Sequence, residues 1–300
     1  MLKVLEPFVM LSLTIALGVF VYAIKLIDLD FCRKLSRLVV RVTFPAMLFI
    51  SMYKNVDQQS LKQGWIFIVL GLTTSIILAF TAHYSGGLLG LKGKTSGTYQ
   101  ILCTNGNNVF LPVPIITVLF GLEYVVYAVL FELGAGFFYW SYGVSHFRSG
   151  PKFDLKRLFN QNMIALVLGL GFSFFEIRLP DVLVGGLEIV GNITLGSAML
   201  IIGALVANLL EQRLSLRREV WGVLVHRFLL SPLVGVIFLQ FADLPGELRT
   251  ILLIMSAMPP LVTTALVAAS MGGDEELAAQ GVVIPTLLSF IVIPLALLFI

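Results

Sequence analysis

Apolar residues fall along this chain in long runs, parted by short polar or charged interruptions. Crossing a bilayer as a helix takes roughly 20 mainly apolar residues. Read at that length, the pattern predicts ten spans, at about 7–27, 36–53, 64–83, 98–119, 122–145, 160–177, 182–210, 219–241, 248–271 and 275–299. The longest hydrophilic stretch is HFRSGPKFDLKRLFNQN, residues 146–162. It parts the chain into a first half at 1–147, a cytoplasmic linker at 148–159 and a second half at 160–300, with five spans in each half. The expected fold class is an all-α polytopic membrane protein.

Two spans are spoiled near their middles. In ILCTNGNNVFLPVPIITVLFG, residues 101–121, Asn105, Gly106, Asn107 and Asn108 precede Pro112 and Pro114. In LLIMSAMPPLVTTALVAASMGG, residues 252–273, Ser256 precedes Pro259 and Pro260. Proline removes a backbone donor and disrupts the helix ladder. An unpaired backbone group costs several kcal/mol in hydrocarbon, so such a break must be buried in protein or line a wet cavity. Paired broken helices in corresponding halves mark the binding site of a secondary transporter. With Asn108 laid on Pro259, Gly121 falls on Gly272 and Ala128 on Ala279. In each half the broken helix runs into a glycine, an acidic turn (Glu123; Asp274, Glu275, Glu276) and another helix. An odd number of spans per repeat requires the second copy to be inverted in the membrane. Two inverted five-helix repeats are therefore expected.

Composition agrees. Hydrophobic residues make up 58% and charged residues 12%, against about 25% charged in soluble domains. The net charge of +3 says nothing of nucleic acid, and none is expected as a partner; its distribution over the loops carries the information. One set of loops holds Arg33, Lys34, Arg37, Lys92, Lys94, Arg148, Lys152, Lys156, Arg157, Arg213, Arg217 and Arg218. The other side holds Lys3, Lys54, Lys62, Arg178 and Arg249. The richer side is cytoplasmic by the positive-inside rule, which places both termini outside. The apolar run from Pro7 to Ile27 reads as a first spanning helix rather than a cleaved leader. Cys32 is expected in a basic loop and Cys103 in an apolar helix, leaving two free thiols.

Four stretches resemble the auxin efflux carrier family, which includes the plant PIN-type carriers and bacterial organic-anion transporters. TFPAMLF, residues 43–49, resembles its proline-broken second helix. TNGNNVFLPVP, residues 104–114, resembles its fourth-helix motif, an Asn seven residues before a Leu-Pro or Ile-Pro. HRFLLSP, residues 226–232, is similar to a basic residue preceding a proline in the eighth helix. AMPP, residues 257–260, followed by MGGDEELAAQGVVIPTLLSFIVIPL, residues 271–295, resembles the ninth and tenth helices. The resemblance implies ten helices in two inverted five-helix repeats, with helices 4 and 9 broken and crossing and the substrate beside that crossover. It implies a scaffold of helices 1, 2, 6 and 7 and a moving bundle of helices 3–5 and 8–10. The short central loop fits the bacterial branch, hence a bacterial inner membrane. The chain departs from the pattern at Phe110, where the family has Gly, and at Thr263 and Thr264, near where bacterial members have Asn.

The candidate substrate-binding residues are Asn105, Gly106, Asn107, Asn108, Pro112, Pro259, Pro260 and Thr263. Asparagine offers both donor and acceptor, so these amides either hold a carboxylate or satisfy freed carbonyls; Asn105 matches the family position. The half-helix beyond each break presents free N–H groups and a positive dipole end to an anion. Glu132 is an intramembrane carboxyl with Ala128, Ala135 and Gly136 on its face. Such a group is a functional candidate by default, either a proton carrier or a neutral hydrogen-bonded Glu. Arg227 balances Glu132, helps recruit an anion, or snorkels to the cytoplasmic surface; Arg41 is expected to snorkel. His226 and His146 are expected near helix ends without metal-ligand company. Glu188 reads as structural or dimer-facing, and a homodimer is possible.

No His-Glu-x-x-His pair, Gly-Lys-Ser/Thr phosphate loop or Cys-x-x-Cys appears in the chain, so the expectation is a non-enzyme without a cofactor. The expected function is a secondary carrier of a small organic anion in the lipid bilayer, by alternating access. Proton coupling is possible and sodium is not excluded. The alternatives are an anion channel and a sodium-coupled inverted-repeat symporter.

Overall fold

Runs without water must satisfy their own backbone, and helices do so within one segment. The computed structural model is accordingly helical. It describes residues 2–55, 58–108, 111–141, 161–212, 216–262, 264, 265, 268 and 272–297. The helices are α1 (Leu2–Ala23), α2 (Leu29–Leu38), α3 (Phe44–Asn55), α4 (Gln58–Leu88), α5 (Gly93–Thr104), α6 (Pro112–Leu119), α7 (Val125–Ser141), α8 (Gln161–Phe174), α9 (Asp181–Gln212), α10 (Arg218–Val225), α11 (Ser231–Leu239), α12 (Gly246–Ser256) and α13 (Glu275–Leu297). No strand is present among the described residues, only an isolated bridge. Five stretches are long and apolar enough to cross a membrane: Leu29–Lys54, Gly64–Leu88, Asp181–Asn208, Arg218–Leu239 and Glu275–Leu297. The linker at 148–159, with His146, lies outside the described residues.

Prolines do not all break helices here. α2 and α3 join through a π turn at Val39–Thr43, and α10 and α11 through one at His226–Leu230. Each wide turn lies just ahead of a proline, Pro45 or Pro232, and absorbs the ladder position that proline cannot fill. The second helix is therefore continuous rather than broken at Pro45. It also begins at Leu29, earlier than expected, because the Asp28 side chain accepts from the Phe31 N–H at 2.7 Å. Cys32 consequently sits buried on a helix rather than in a loop, and both Cys32 and Cys103 are free thiols.

Small residues set the closest packing. A Cβ on Gly203 would collide with the Ile15 carbonyl, which locks α9 to α1. Gly169 and Gly191 let α8 and α9 approach α3 at Phe49 and Met47, and Gly71 and Gly134 let α4 and α7 meet backbone to backbone. One group thus comprises α1, α2–α3, α8 and α9. Its polar ties are internal: Tyr22 to Asn208 at 3.2 Å, Thr194 to Thr43 at 2.9 Å, Leu179 N to Tyr53 Oη at 2.9 Å, and the Lys54–Glu188 pair. The remaining helices form a second group with its own internal ties. Between the groups lies an apolar seam in which Leu11, Ile15, Met199 and Ile202 pack with Leu111, Ile115, Ile254 and Met258. The second group's ties include Thr95 and Arg217 to Asp274, Asn108 to Glu132, and Arg227 to Thr104 O and Met258 O.

The two glycines matched by sequence, Gly121 and Gly272, both adopt left-handed backbone, with φ of 113° and 75°. That region favours a residue without Cβ, so each half uses glycine to turn from its broken segment into the next helix.

Candidate crossover site

The two broken segments run past one another antiparallel, with Gly106 bridged to Pro260. The Asn107 N–H donates to Pro259 O at 2.7 Å, and the Leu261 N–H donates to Asn105 O at 3.0 Å. Each break therefore supplies backbone partners for the other, which answers the cost that hydrocarbon imposes on an interrupted helix. Pro112 opens α6 at its first position, where its missing N–H removes nothing that the helix needs.

The C-terminal ends of α5 and α12 converge here, and helix C-termini carry partial negative charge. Arg227 meets both. Its Nε and Nη2 donate to Met258 O at 2.8 and 2.6 Å, and its Nη1 donates to Thr104 O at 3.3 Å. The side chain is 2% exposed, so the snorkelling reading does not hold. Burial follows from the register of the π turn at 226–230, which points this face of the helix at the crossover. His226 is likewise buried in mid-helix rather than near an end; its Nδ1 faces Gly222 O at 2.8 Å. Gly106 makes room for the guanidinium, since a Cβ there would collide with Nη2. Three of the five arginine N–H donors are engaged, which leaves two.

No acidic group forms an ion pair with Arg227 among the described residues. Glu132 does not balance it directly. Instead the Asn108 Nδ2 donates to Glu132 Oε2 at 3.0 Å, and Asn108 Oδ1 has no partner among the described residues. Asn105 is 3% exposed, and neither end of its carboxamide has a partner among the described residues. The Thr264 hydroxyl is buried and likewise has no partner among the described residues. Unsatisfied buried polar groups are rare in folded proteins and call for an explanation. Asn105, Gly106, Asn107, Asn108, Pro112, Pro259 and Pro260 are all buried around this crossing; Thr263 lies outside the described residues.

A second cluster was not legible in sequence. Arg217 Nη1 donates to both Asp274 oxygens, at 3.0 and 2.9 Å, and Nη2 donates to Glu219 Oε1 at 2.9 Å. Thr95 Oγ1 donates to Asp274 Oδ2 at 2.7 Å, and the Leu277 N–H donates to Oδ1 at 3.1 Å. Burial pushes the Asp274 carboxyl up, but Thr95, the Leu277 amide and Arg217 outweigh it and hold the group below the usual carboxylate range. The cluster ties the starts of α5, α10 and α13 together. The signal available in sequence was the acidic turn Asp274–Glu276 after Gly272 and the basic stretch Arg213, Arg217 and Arg218 ahead of α10.

A family profile described as membrane transport protein matches residues 3–152 and 146–297. The chain belongs to that family. This agrees with the auxin efflux carrier resemblance read from the four motifs. An uncharacterized transporter of Methanocaldococcus jannaschii is 23% identical, over 94% of each chain. An uncharacterized transporter of Methanothermobacter thermautotrophicus is 24% identical, over 94% of this chain and 93% of its own. Membership of this family, with several apolar membrane-length helices, makes the chain a multi-pass membrane protein.

Proposed function

We propose that this membrane transport protein is a secondary carrier of a small organic anion, a carboxylate bound at the crossover. The observation that carries the reading is Arg227: among the described residues its buried guanidinium has no acidic partner, and the neighbouring Asn105 carboxamide has no hydrogen-bond partner. An anion supplies what this site lacks, and α6 begins close by with its positive dipole end. The Thr104 and Met258 carbonyls that a sodium ion would need are taken by the guanidinium, which favours an anion site over a sodium site.

The packing supports alternating access as the mechanism. The group of α1, α2–α3, α8 and α9 serves as scaffold, and α4 to α7 with α10 to α13 serve as the moving bundle that carries the crossover. The seam between the groups is lined by apolar side chains, and apolar contacts slide at low cost because they are not directional. The architecture proposed is two inverted five-helix repeats in the cell membrane, with both termini outside.

The test is a thermal-shift panel of organic acids on purified protein, followed by liposome flux of the acids that bind. Asn105→Ala removes a charge-assisted hydrogen bond worth roughly 1.5–3 kcal/mol, so affinity should fall about tenfold to a hundredfold on monodisperse protein. Asn105→Asp should be worse. Unchanged affinity in both would sink the anion contact, and single-channel current steps would replace the carrier by a pore.

A further inference from the structure

The anion-carrier reading leaves one polar group facing the wrong way. Asn108 directs its Nδ2 away from the crossover, to Glu132 Oε2 at 3.0 Å. Its Oδ1 has no partner among the described residues and lies 2.9 Å from where a Cβ on Gly106 would stand, beside the Arg227 guanidinium. The end of this amide that faces the crossover is thus an acceptor oxygen, which repels an anion. A carboxamide exchanges its two ends by rotation about χ2, with almost no change of shape.

Resting on the reading above, we propose that Asn108 links the crossover to a proton on Glu132, so that one carboxylate and one proton bind and travel together. With Glu132 ionised, its oxygen accepts from Asn108 Nδ2 and the site shows an oxygen to the anion. A proton from the aqueous side adds to Glu132 Oε2. The new O–H donates to Asn108 Oδ1 once the amide has turned, and Nδ2 is released to donate to the carboxylate. Only the O–H bond on Glu132 is made, and it breaks again when the anion leaves.

Charge points the same way. Arg227 and ionised Glu132 sum to zero in the empty site. A bound carboxylate adds one negative charge in a setting where net charge is costly, and a proton on Glu132 restores neutrality. The other ionisable groups on the packed elements do not compete for this role. Tyr139, two turns along α7, is within electrostatic reach of Glu132. α4 carries no ionisable side chain from Gly64 to Phe80, and α6 carries none. On α3, Tyr53 is bonded to Leu179 N and Lys54 to Glu188. On α12, Glu247 and Arg249 are exposed at its start, as is Glu123 before α7; Tyr124 packs on Phe120 and Tyr127.

The experiment uses full-length protein and malonate, malate, succinate and indole-3-acetate as probes, bound at pH 5.5 and 7.5. The best binder should bind wild type about tenfold tighter at the lower pH. Its inward gradient should acidify liposomes loaded with a pH-sensitive dye. Glu132→Gln offers Asn108 the N–H that protonated Glu132 would offer as O–H. It should bind with low-pH affinity at both values and move the anion without acidification. Asn108→Ala should bind weakly with the pH response lost, and it decides the matter if Glu132→Gln does not fold. Equal affinity ratios in wild type and both variants, or acidification that persists in Glu132→Gln, would overturn the coupling while leaving the anion carrier standing. Failure of every probe to shift wild type at either pH would overturn both.

Discussion

Gly106→Ala tests the crossover at its tightest point. The backbone of Gly106 is not in the left-handed region, so alanine meets no conformational barrier and the whole effect is steric. Its Cβ would stand 3.2 Å from Arg227 Cζ and 2.9 Å from Asn108 Oδ1, nearer still to Arg227 Nη2. Favourable contact lies at about 3.5–4.0 Å, so the guanidinium must withdraw. A free arginine would do so at little cost. This one is pinned by contacts of 2.6 and 2.8 Å to Met258 O. Losing one hydrogen bond to a charged group costs roughly 1.5–3 kcal/mol, and the displaced charge no longer caps the two helix ends. Anion affinity should fall on the order of tenfold to a hundredfold, since 1.4 kcal/mol is about tenfold. The unfolding midpoint should fall by roughly 2–4 °C per kcal/mol lost. Both are read on detergent-purified, monodisperse protein, by a thermal-unfolding scan and by titration of a binding acid. Gly196→Ala is the control, because nothing stands within 4 Å of a Cβ there. It should be neutral, or stabilising by up to about 1 kcal/mol. A Gly106→Ala protein matching Gly196→Ala in midpoint and wild type in affinity would refute the steric argument.

Three further outcomes follow from the same geometry. Arg227→Lys keeps the charge but cannot fork across Met258 O and Thr104 O; affinity should drop about tenfold, and a wild-type titration curve would show that the fork is not needed. Asp274 is held below the usual carboxylate range by Thr95, the Leu277 amide and Arg217 against the push of burial. Its contribution is full above about pH 4 and is lost as pH falls through the lowered folded value. The wild-type midpoint should therefore drop more steeply than that of Asp274→Asn on acidification from about pH 5 to 3; parallel curves would contradict this. Both termini should lie outside: single cysteines added there should react with an impermeant reagent from the outer face of intact cells, and reaction from the cytoplasmic face alone would reverse the orientation.

Hydropathy by itself determined the class, most helix positions and the two broken segments. The reason is that hydrocarbon tolerates an interrupted backbone only where something repairs it, so Asn105–Asn108 and Pro259–Pro260 stand out against their neighbours without any structure. The matched glycines were legible too, and both prove to need left-handed backbone. What repairs each break was not legible, because it comes from the other break, on the far side of the chain's midpoint, and from Arg227, which lies 31 residues from Met258 and 123 from Thr104. Periodicity could not place Arg227, since the π turn at 226–230 alters the helix register just there and makes a side chain whose direction the sequence left open into the cap of two helix ends. The same limit hid the Arg217–Asp274 tie, 57 residues apart. Local sequence decides where a helix must stop; only tertiary packing decides which distant group meets the polar atoms that the stop exposes.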